Sequence, residues 1–461
     1  MNEEIYDVIV LGGGAGGVTA AIRAAQLGGR VGIIEDRELG GQCMNRGCIP
    51  FGQMMVASNI LKGLSLGKEL GINFDGCSKD YFTLIKRQNA LVEFMRLGIK
   101  TTIKKNKIDI IEGRGKITGR KTVSVDGKTI SYKNLILATG AKWVQPTFPG
   151  ADLEEVVLPE FLLTANCLPK KVLLFGQSPW LAEIAQFLSR FGSQVIIATN
   201  EKRLLAAESK SITTRLNKVL KGEGIEIKPL VEIEAVTKEK EALKVELKSK
   251  EGRETIVVEK IITLERAADL KDLGLSNIAF DENRAHLMVN DRMETETEGV
   301  FAIGDLAGPP SQHYSHLASE GGVIAAENAM GMDSAFNSKT RTRILFTQPQ
   351  IASVGSTSRE AKNKGYDVIV GAAPLSMNPF GMIIGENEGL VEIVAERSHG
   401  EILGVHIIGT AATEMIGLAV VAIRMKATVE ELATISFPHP TLSESVAEAA
   451  RDALGIPIYL P

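Results

Sequence analysis

A glycine-rich turn near the N-terminus is the feature that most constrains how this chain can fold. An apolar run, Tyr6–Leu11, leads into Gly12-Gly13-Gly14-Ala15-Gly16-Gly17, which opens an Ala-rich run to Leu27, and a second apolar run ends at Glu35. This order predicts a strand, a tight turn, a helix and a second strand. Near-continuous apolar strands of this kind are typical of a buried parallel sheet. The sequence therefore predicts an α/β fold.

The spacing of the glycines within this turn further predicts dinucleotide binding. Gly12 permits the tight turn, Gly14 lets the backbone approach a pyrophosphate, and Gly17 lets the helix pack closely on the strand. The N-terminus of the helix presents N–H groups and a partial positive charge to the phosphates. Glu35, at the end of the next strand, is placed to accept from a ribose hydroxyl. The alternative is a purely structural glycine turn.

A second strand, turn and helix begin about 160 residues further on, and no other internal repeat is evident. A strand is predicted over 171–176, a helix over 179–191 and a strand over 194–198. From about residue 341 the pattern changes to longer strands followed by helices. At about 150 residues per domain, 461 residues correspond to roughly three domains.

Composition and charge argue against several classes of protein. The formal net charge is −4 and aromatic residues make up 5%, so neither a basic surface nor a base-stacking surface points to nucleic acid. Apolar runs are too short for a membrane span, and the first residues have no basic segment typical of a signal peptide. Four cysteines are too few for a disulfide-stapled secreted protein, which favours a cytoplasmic location. Cys77 and Cys167 are predicted to be small buried hydrophobic residues.

Cys43 and Cys48 form the most distinctive pair, within Gly40-Gly41-Gln42-Cys43-Met44-Asn45-Arg46-Gly47-Cys48-Ile49-Pro50. Five residues of helix rise about 7.5 Å, whereas a disulfide needs Cα atoms about 4.4–6.8 Å apart. A bridge therefore requires a distorted turn, which Gly47 and Pro50 are suited to provide. Such a bridge would be reducible, so the sequence favours a redox-active pair. A metal site or two inert thiols are the alternatives; no second Cys or His pair supports a metal.

Together these motifs resemble the flavin-dependent pyridine nucleotide–disulfide oxidoreductases, and among them the dihydrolipoamide dehydrogenases. Gly299–Asp305 resembles the second FAD motif of the family, and residues 138–140 its crossing between domains. Residues 350–355 resemble the start of its dimerisation domain. The resemblance implies that Cys43 exchanges with substrate and Cys48 faces the flavin. It also implies FAD-binding roles at a set of further positions: Ala15, Gly41, Gly115, Thr139, Gly140 and Asp305.

The same resemblance implies a domain order. Two Rossmann-like domains, one for FAD and one NAD(P)-like, are followed by a C-terminal α+β dimerisation domain. The FAD domain would comprise residues 1–147 and 270–340, the NAD(P)-like domain 148–269 and the dimerisation domain 341–461. A homodimer is expected.

His439 lies in a distinctive segment, Phe437-Pro438-His439-Pro440-Thr441-Leu442-Ser443-Glu444. The prolines fix the backbone, and Glu444 can hold one imidazole nitrogen so that the other acts as a base. Thiol exchange needs such a base because only the thiolate attacks. The resemblance implies that this histidine reaches the cysteines of the partner subunit. The alternative is a buried loop histidine with a capping glutamate.

One departure from the family pattern removes a charged group beside the flavin. The Ser-Lys that usually follows Cys-Ile-Pro is replaced by Phe51-Gly52. Glu183, which matches the glutamate expected to pair with that lysine, is retained. Arg46 is a candidate for the replacement cation.

Further departures affect the nicotinamide side. The second glycine turn reads Gly176-Gln177-Ser178-Pro179-Trp180-Leu181, and Thr199 stands where an acid is expected. The family's Gly-Arg-x-Pro-Asn turn appears as Glu265-Arg266-Ala267-Ala268-Asp269, and a carboxylate there repels a dinucleotide. We therefore predict weak or absent NAD(P) binding. The alternatives are an altered nicotinamide site that involves Gly176, Glu183 and Thr199, and a domain that has become scaffold.

The expected reaction is the oxidation of a dithiol, such as lipoamide on a carrier protein. Electrons would pass through Cys43 and Cys48 to FAD, and then to NAD+ or to another acceptor such as a protein carrier or quinone. The alternatives are a flavin-bearing assembly subunit with little turnover and a related disulfide or metal reductase. Mercuric reductase fits less well because it has a cysteine pair near its C-terminus, and glutathione reductase because no Arg pair marks NADPH. No metal is expected.

Overall fold

The computed structural model describes residues 5–73, 75–281, 283–309 and 313–460. By contacts, the chain divides into two compact units. The first comprises Met1–Gln53, Asp80–Val144 and Glu265–Asn337, and the second Met54–Lys79, Gln145–Leu264 and Ser338–Pro461. The signal-peptide prediction rests on the first residues of the chain, of which residues 1–4 lie outside the described part.

The secondary structure alternates strands and helices along most of the chain. The strands are β1 (Tyr6–Leu11), β2 (Val31–Glu35), β3 (Asp109–Glu112), β4 (Gly115–Gly119), β5 (Thr122–Val125), β6 (Lys128–Leu137), β7 (Ala141–Trp143), β8 (Val156–Val157), β9 (Lys171–Gly176), β10 (Gln194–Ala198), β11 (Glu226–Lys228), β12 (Glu232–Glu239), β13 (Ala242–Ser249), β14 (Gly252–Val258), β15 (Lys260–Leu264), β16 (Arg266–Ala268), β17 (Val300–Ala302), β18 (Thr342–Leu345), β19 (Gln350–Gly355), β20 (Val368–Pro374), β21 (Leu390–Glu396) and β22 (Ile402–Gly409). The helices are α1 (Ala15–Gln26), α2 (Gly41–Arg46), α3 (Cys48–Glu69), α4 (Tyr81–Lys105), α5 (Trp180–Phe191), α6 (Lys210–Gly222), α7 (Ser315–Ala329), α8 (Ser358–Asn363), α9 (Pro379–Ile383), α10 (Ala412–Arg424), α11 (Val429–Thr434) and α12 (Glu444–Ala453).

The first unit is built on a parallel sheet in the order β3-β2-β1-β6-β17, which β5 and β4 extend in antiparallel fashion. Val8, Ile9 and Val10 of β1 are fully buried because apolar clusters cover both faces of the sheet. This explains why the strand reads as a continuous apolar run. Helices α1 and α7 pack against each other. The turn after β1 and the end of β17 are the parts that matter for the site.

The second unit contains a parallel sheet and a large antiparallel sheet. The parallel sheet has the order β11-β10-β9-β15-β8, with α5 against β9 and β10. A three-stranded sheet, β12-β13-β14, is antiparallel throughout. The C-terminal sheet has the order β18-β19-β22-β21-β20, and α10 and α12 contribute to its apolar core.

The predicted fold class is confirmed, whereas one prediction about burial is wrong. The four predicted domain segments stay a prediction. Cys77 and Cys167 are exposed, not buried. Each lies in a connecting segment between regular elements, where the chain runs over the surface and offers no core to a small apolar side chain. Within the described residues, no helix is long and apolar enough to cross a membrane.

Candidate active site

The turn between β1 and α1 requires glycine at two of its positions. Gly12 has a φ of +105°, and a Cβ atom there would lie 2.3 Å from the carbonyl oxygen of Ala138. A Cβ atom at Gly17 would lie 1.9 Å from the carbonyl oxygen of Gly12. Both contacts are with backbone, so no side-chain movement could relieve them. The backbone of this turn is thereby held in one conformation at the start of α1.

Gly14 leaves open space at the N-terminus of α1, where a pyrophosphate would bind. It precedes Ala15, the first residue of the helix, and has no side chain to cap the first N–H groups. A Cβ atom built on Gly14 would meet only the Cα of Gly41, at 3.9 Å. The helix N-terminus therefore offers its N–H groups and partial positive charge to an anion. This cradle fits the diphosphate of FAD.

The carboxylate of Glu35 is fixed at the end of β2. Its two oxygens accept from the backbone N–H of Gly13, at 2.5 Å, and of Arg37, at 2.9 Å. Burial raises the pKa of this carboxyl above its usual value, and the two hydrogen bonds oppose that shift. Each oxygen retains a further lone pair, so the group can still accept from ribose hydroxyls.

Asp305 lies in a short 3₁₀ turn, Gly304–Leu306, just after β17. Arg266 forms a largely buried ion pair with it at 2.7 Å, and the Arg266 guanidinium also stands over the Trp143 ring, 5.4 Å from its centroid. The sequence analysis did not predict this ion pair. It holds the Oδ2 atom of the carboxylate.

The other predicted cofactor positions lie around the same sheet. The hydroxyl of Thr139 donates to the carbonyl of Asp269 at 3.2 Å, and Gly140 follows with a φ of +72° and open space beside it. Gly115 begins β4 and is buried, with Leu11 so close that a Cβ atom would lie 2.6 Å from its side chain. The structure thus gives Gly115 a packing role, and its contact with cofactor stays a prediction.

The two cysteines lie on either side of a break between helices. Cys43 is within α2, Gly47 interrupts the helix with φ −134° and ψ −116°, and Cys48 is the first residue of α3. Asn45 fixes α2 because its amide donates to the carbonyls of Leu39, at 3.1 Å, and Gly41, at 2.9 Å. The distorted turn that the cysteine spacing requires is therefore present. Both cysteines are free thiols and are partly buried.

The two thiols have opposite proton affinities. A hydrogen bond from the Cys48 thiol lowers the pKa of Cys43 to about 7, although burial opposes the shift. The same interaction raises the pKa of Cys48, as do its burial and the charge of the Cys43 thiolate. In the dithiol state Cys43 is therefore the more readily ionised of the two thiols. A thiolate is the nucleophile of thiol exchange, and this agrees with the exchange role that the resemblance assigns to Cys43.

His439 and Glu444 are hydrogen-bonded in the second unit. The Nδ1 of His439 and the Oε1 of Glu444 are 2.9 Å apart, and the other Glu444 oxygen accepts from the N–H of Thr441. Glu444 begins α12, so its backbone position is fixed. The side chain of His439 is 65% exposed within its own chain. The carboxylate orients the ring and leaves Nε2 to act on a ligand from outside the chain.

The second glycine turn is filled by side chains of the chain itself. Gly176 retains a φ of +143°, and a Cβ atom there would lie 2.6 Å from the carbonyl oxygen of Leu264. The hydroxyl of Ser178 accepts from the N–H of Trp180 at 3.3 Å, which is an N–H that a phosphate would use. Leu181 is fully buried in the position of the third glycine.

A side-chain bridge joins the ends of the two neighbouring strands. Gln177, after β9, donates to the Asn200 side chain, after β10, at 2.9 Å. Thr199 is 1% exposed, and its hydroxyl accepts from the N–H of Glu201. Ligands of open parallel sheets bind beyond these carboxyl ends, so the bridge lies where a ribose would bind.

Comparisons with known proteins give the family. A model described as pyridine nucleotide-disulphide oxidoreductase matches residues 6–332, and the model of its dimerisation domain matches residues 342–450. The chain belongs to the pyridine nucleotide-disulphide oxidoreductase family. The dimerisation domain supports the predicted homodimer.

Several relatives match along almost the whole chain. The dihydrolipoyl dehydrogenase of Zymomonas mobilis is 32% identical over 459 residues, with 98% of each chain covered. That of Thermus scotoductus is 34% identical over 452 residues, with 96% of each covered. The fold is shared with a Cu(II) complex of the HOCl-induced flavoprotein disulfide reductase RclA from Escherichia coli, at a TM-score of 0.84 and 22% identity, over 97% of this chain and 99% of that one. The protein is thus a flavin-dependent disulfide oxidoreductase of this family that uses FAD and is similar to the dihydrolipoyl dehydrogenases.

Three charged residues that the comparison with the oxidoreductase pattern had identified have defined partners. Arg46 forms an ion pair with Glu38 at 2.8 Å, so its role as a replacement for the family lysine stays a prediction. Glu183 is 7% exposed, and its Oε1 accepts from the backbone N–H of Phe346 at 2.8 Å. Asp269, expected to repel a dinucleotide, pairs with Lys142 at 2.8 Å, which offsets its charge.

Sequence reasoning missed Ser315, which lies beside the cysteines. Its Oγ is 3.5 Å from the Sγ of Cys48. The signal that could have found it is a serine at the start of the Ala- and Gly-rich helix that follows the second FAD motif of the oxidoreductases. In the described part of the chain, no group of three or more His, Cys, Asp and Glu residues could hold a metal ion.

Proposed function

We propose that this protein oxidises a dithiol through Cys43 and Cys48 and passes the electron pair to FAD. The observation that carries the proposal is the position of Cys43 and Cys48 on either side of the helix break at Gly47, where a hydrogen bond from the Cys48 thiol lowers the pKa of Cys43. Full-length similarity to dihydrolipoyl dehydrogenases supports dihydrolipoamide on a carrier protein as the substrate. A cytoplasmic location stays a prediction.

The first half of the reaction is a thiol–disulfide exchange that starts from the Cys43–Cys48 disulfide. His439 takes the proton of one substrate thiol, and the resulting thiolate attacks the sulfur of Cys43. The substrate–Cys43 bond forms, the Cys43–Cys48 bond breaks, and Cys48 leaves with the electron pair. The second substrate thiol then attacks the substrate sulfur of the mixed disulfide. The bond to Cys43 breaks, Cys43 takes its electron pair and the proton of the attacking thiol, and the cyclic disulfide is released.

The second half of the reaction belongs to the cofactor. FAD supplies the site that accepts the electron pair and later delivers it to the final acceptor. The chain's own contribution is to hold it: α1 and Gly14 bind the diphosphate, Glu35 the ribose, and Asp305 a hydroxyl of the ribityl chain. Because these residues are fixed by their own hydrogen bonds, they need little rearrangement on binding.

The function is tested by mixing the FAD-loaded protein with one equivalent of dihydrolipoamide under anaerobic conditions. We expect the flavin absorbance to bleach within the dead time or the first seconds of mixing. The Cys43–Cys48 disulfide is then re-formed, because one equivalent supplies a single electron pair and that pair ends on the flavin. A flavin that stays oxidised, in a protein with intact Cys43 and Cys48, would support the flavin-bearing assembly subunit instead.

Removal of the Glu35 carboxylate is expected to weaken FAD binding. A hydrogen bond to a charged group contributes about 1.5–3 kcal/mol, so Glu35→Ala should lower the affinity for FAD roughly 10-fold to 150-fold. FAD affinity is measured by fluorescence titration of the apoprotein. Glu112→Ala is the matched control, because Glu112 pairs with Glu35 on the adjacent strand but is exposed. Equal affinity in both variants would remove Glu35 from the site.

His439 is proposed to serve the cysteines of the other protomer. A mixture of Cys48→Ser and His439→Ala chains should therefore recover activity, because each heterodimer holds one site with both groups intact. Random reassociation gives half heterodimers, so about a quarter of the wild-type activity per dimer mixture is expected. Each variant alone is the control. No recovery after verified subunit exchange would place His439 and the cysteines in one protomer.

A further inference from the structure

Cys48 and Ser315 each begin a long helix, and their side chains meet. Cys48 is the first residue of α3, which has 22 residues, and Ser315 is the first of α7, which has 15. The Sγ and Oγ atoms are 3.5 Å apart, within hydrogen-bond distance for sulfur. Negative charge is stabilised at helix N-termini and thiol pKa values fall there, so both helices favour an anionic sulfur at this point.

The hydroxyl of Ser315 acts on both thiols. Its hydrogen bond lowers the pKa of Cys43 as well as that of Cys48, while burial raises both. The charge of Asp305 raises the pKa of Cys43 and so acts against the hydroxyl. A serine O–H rotates freely, so it can donate to whichever sulfur carries the charge.

We propose that Ser315 is a catalytic hydrogen-bond donor to Cys48 when the Cys43–Cys48 disulfide opens. As substrate sulfur bonds to Cys43, the electron pair of the broken bond goes to Cys48, and the O–H of Ser315 donates to it. Ser315 keeps its proton throughout, so it stabilises the departing sulfur without taking part in proton transfer. Thiol–disulfide exchange is faster when the leaving thiol has a lower pKa, and a hydrogen-bond donor to the leaving sulfur lowers that pKa. The identity of the substrate in this step rests on the proposed function, whereas the test of Ser315 does not depend on it.

The test compares Ser315→Ala with the near-isosteric pair Ser315→Thr, which keeps a hydroxyl, and Ser315→Val, which removes it. Two quantities are measured: the rate at which dithiothreitol opens the protein disulfide, and the pH dependence of iodoacetamide alkylation at Cys43 and Cys48, resolved by peptide mass spectrometry. Neither needs lipoamide, NADH or turnover. Ser319→Ala, one turn further along α7, is the control, and the partner's proposed histidine is present in every protein.

We expect Ala and Val to slow disulfide opening about threefold to tenfold and to raise the first thiol titration by about one pH unit, equivalent to about 1.4 kcal/mol. Thr and the Ser319 control should match the wild type. The proposal is overturned if Ala and Val leave both quantities at wild-type values, or if Thr is as impaired as Val. Should the Ala protein not fold, the Thr and Val pair decides alone. Failure to bleach the flavin with dihydrolipoamide, alongside a normal serine effect, would count against the proposed function only.

Discussion

Replacement of Cys43 by serine is expected to slow dithiol-driven bleaching of the flavin by at least about 10⁴-fold. Loss of one member of a group of catalytic residues that act as a unit typically costs this much or more. Without Cys43 the protein cannot form the disulfide that a dithiol opens. The lowered pKa of Cys43 also makes its sulfur a good leaving group when the second substrate thiol resolves the mixed disulfide.

The measurement is anaerobic stopped-flow absorbance with saturating dihydrolipoamide. Cys167→Ser is the matched control, because Cys167 is also a free thiol but is exposed in a surface segment. The control should bleach at the wild-type rate, and FAD content should be equal in all proteins. A Cys43→Ser protein that bleaches within a factor of ten of wild type would mean that the dithiol reduces the flavin without the cysteine pair.

The features that sequence alone predicted are those encoded over short stretches of chain. The strand Tyr6–Leu11 and the glycine turn after it depend on neighbours a few residues away, and the structure has both as expected. The break at Gly47 follows from the spacing of the cysteines. The contact of His439 with Glu444 spans five residues. In each case the structure depends on residues that are close together in the sequence, so the sequence pattern is enough to predict it.

What sequence could not provide are contacts between distant segments. Ser315 meets Cys48 across 267 residues, and Glu183 meets the backbone of Phe346 across 163. Arg266 forms its ion pair with Asp305 across 39 residues, and the sequence pattern around Arg266 does not indicate this partner. The prediction that Cys77 and Cys167 are buried was wrong for a related reason: the average preference of cysteine for burial does not say whether a particular loop runs over the surface.

The two glycine turns of this chain have opposite properties. At the first, Gly14 leaves the N-terminus of α1 open to a diphosphate. At the second, the hydroxyl of Ser178 already accepts from the N–H of Trp180, and Gln177 is bridged to Asn200. We therefore expect the thiol half of the chemistry to be intact and the nicotinamide half to be obstructed by the side chains of the second turn.

NADH at micromolar concentration is accordingly expected to bleach the flavin much more slowly than dihydrolipoamide does, because its affinity for the protein is lowered. Loss of the ribose carboxylate at Thr199 costs about 1.5–3 kcal/mol, and with lost phosphate contacts the total is on the order of 4 kcal/mol. At 1.4 kcal/mol per decade this corresponds to roughly a thousandfold in affinity. Stopped-flow absorbance with each reductant in turn measures the ratio.

Removing side chains from the second glycine turn tests whether they are the cause of slow flavin reduction by NADH. The double variant Ser178→Gly, Gln177→Ala removes the hydroxyl that accepts from the Trp180 N–H and opens the bridge, without adding a charge to the buried Thr199 position. One regained hydrogen bond to a phosphate contributes about 1.5–3 kcal/mol, so NADH should bleach this variant at least about tenfold faster than it bleaches the wild type. Gln194→Ala, an exposed change on β10, is the control and should leave the NADH rate unaltered. If NADH already reduces the wild-type flavin as quickly as dihydrolipoamide, the turn tolerates its side chains, and the protein is an ordinary NAD-linked dehydrogenase.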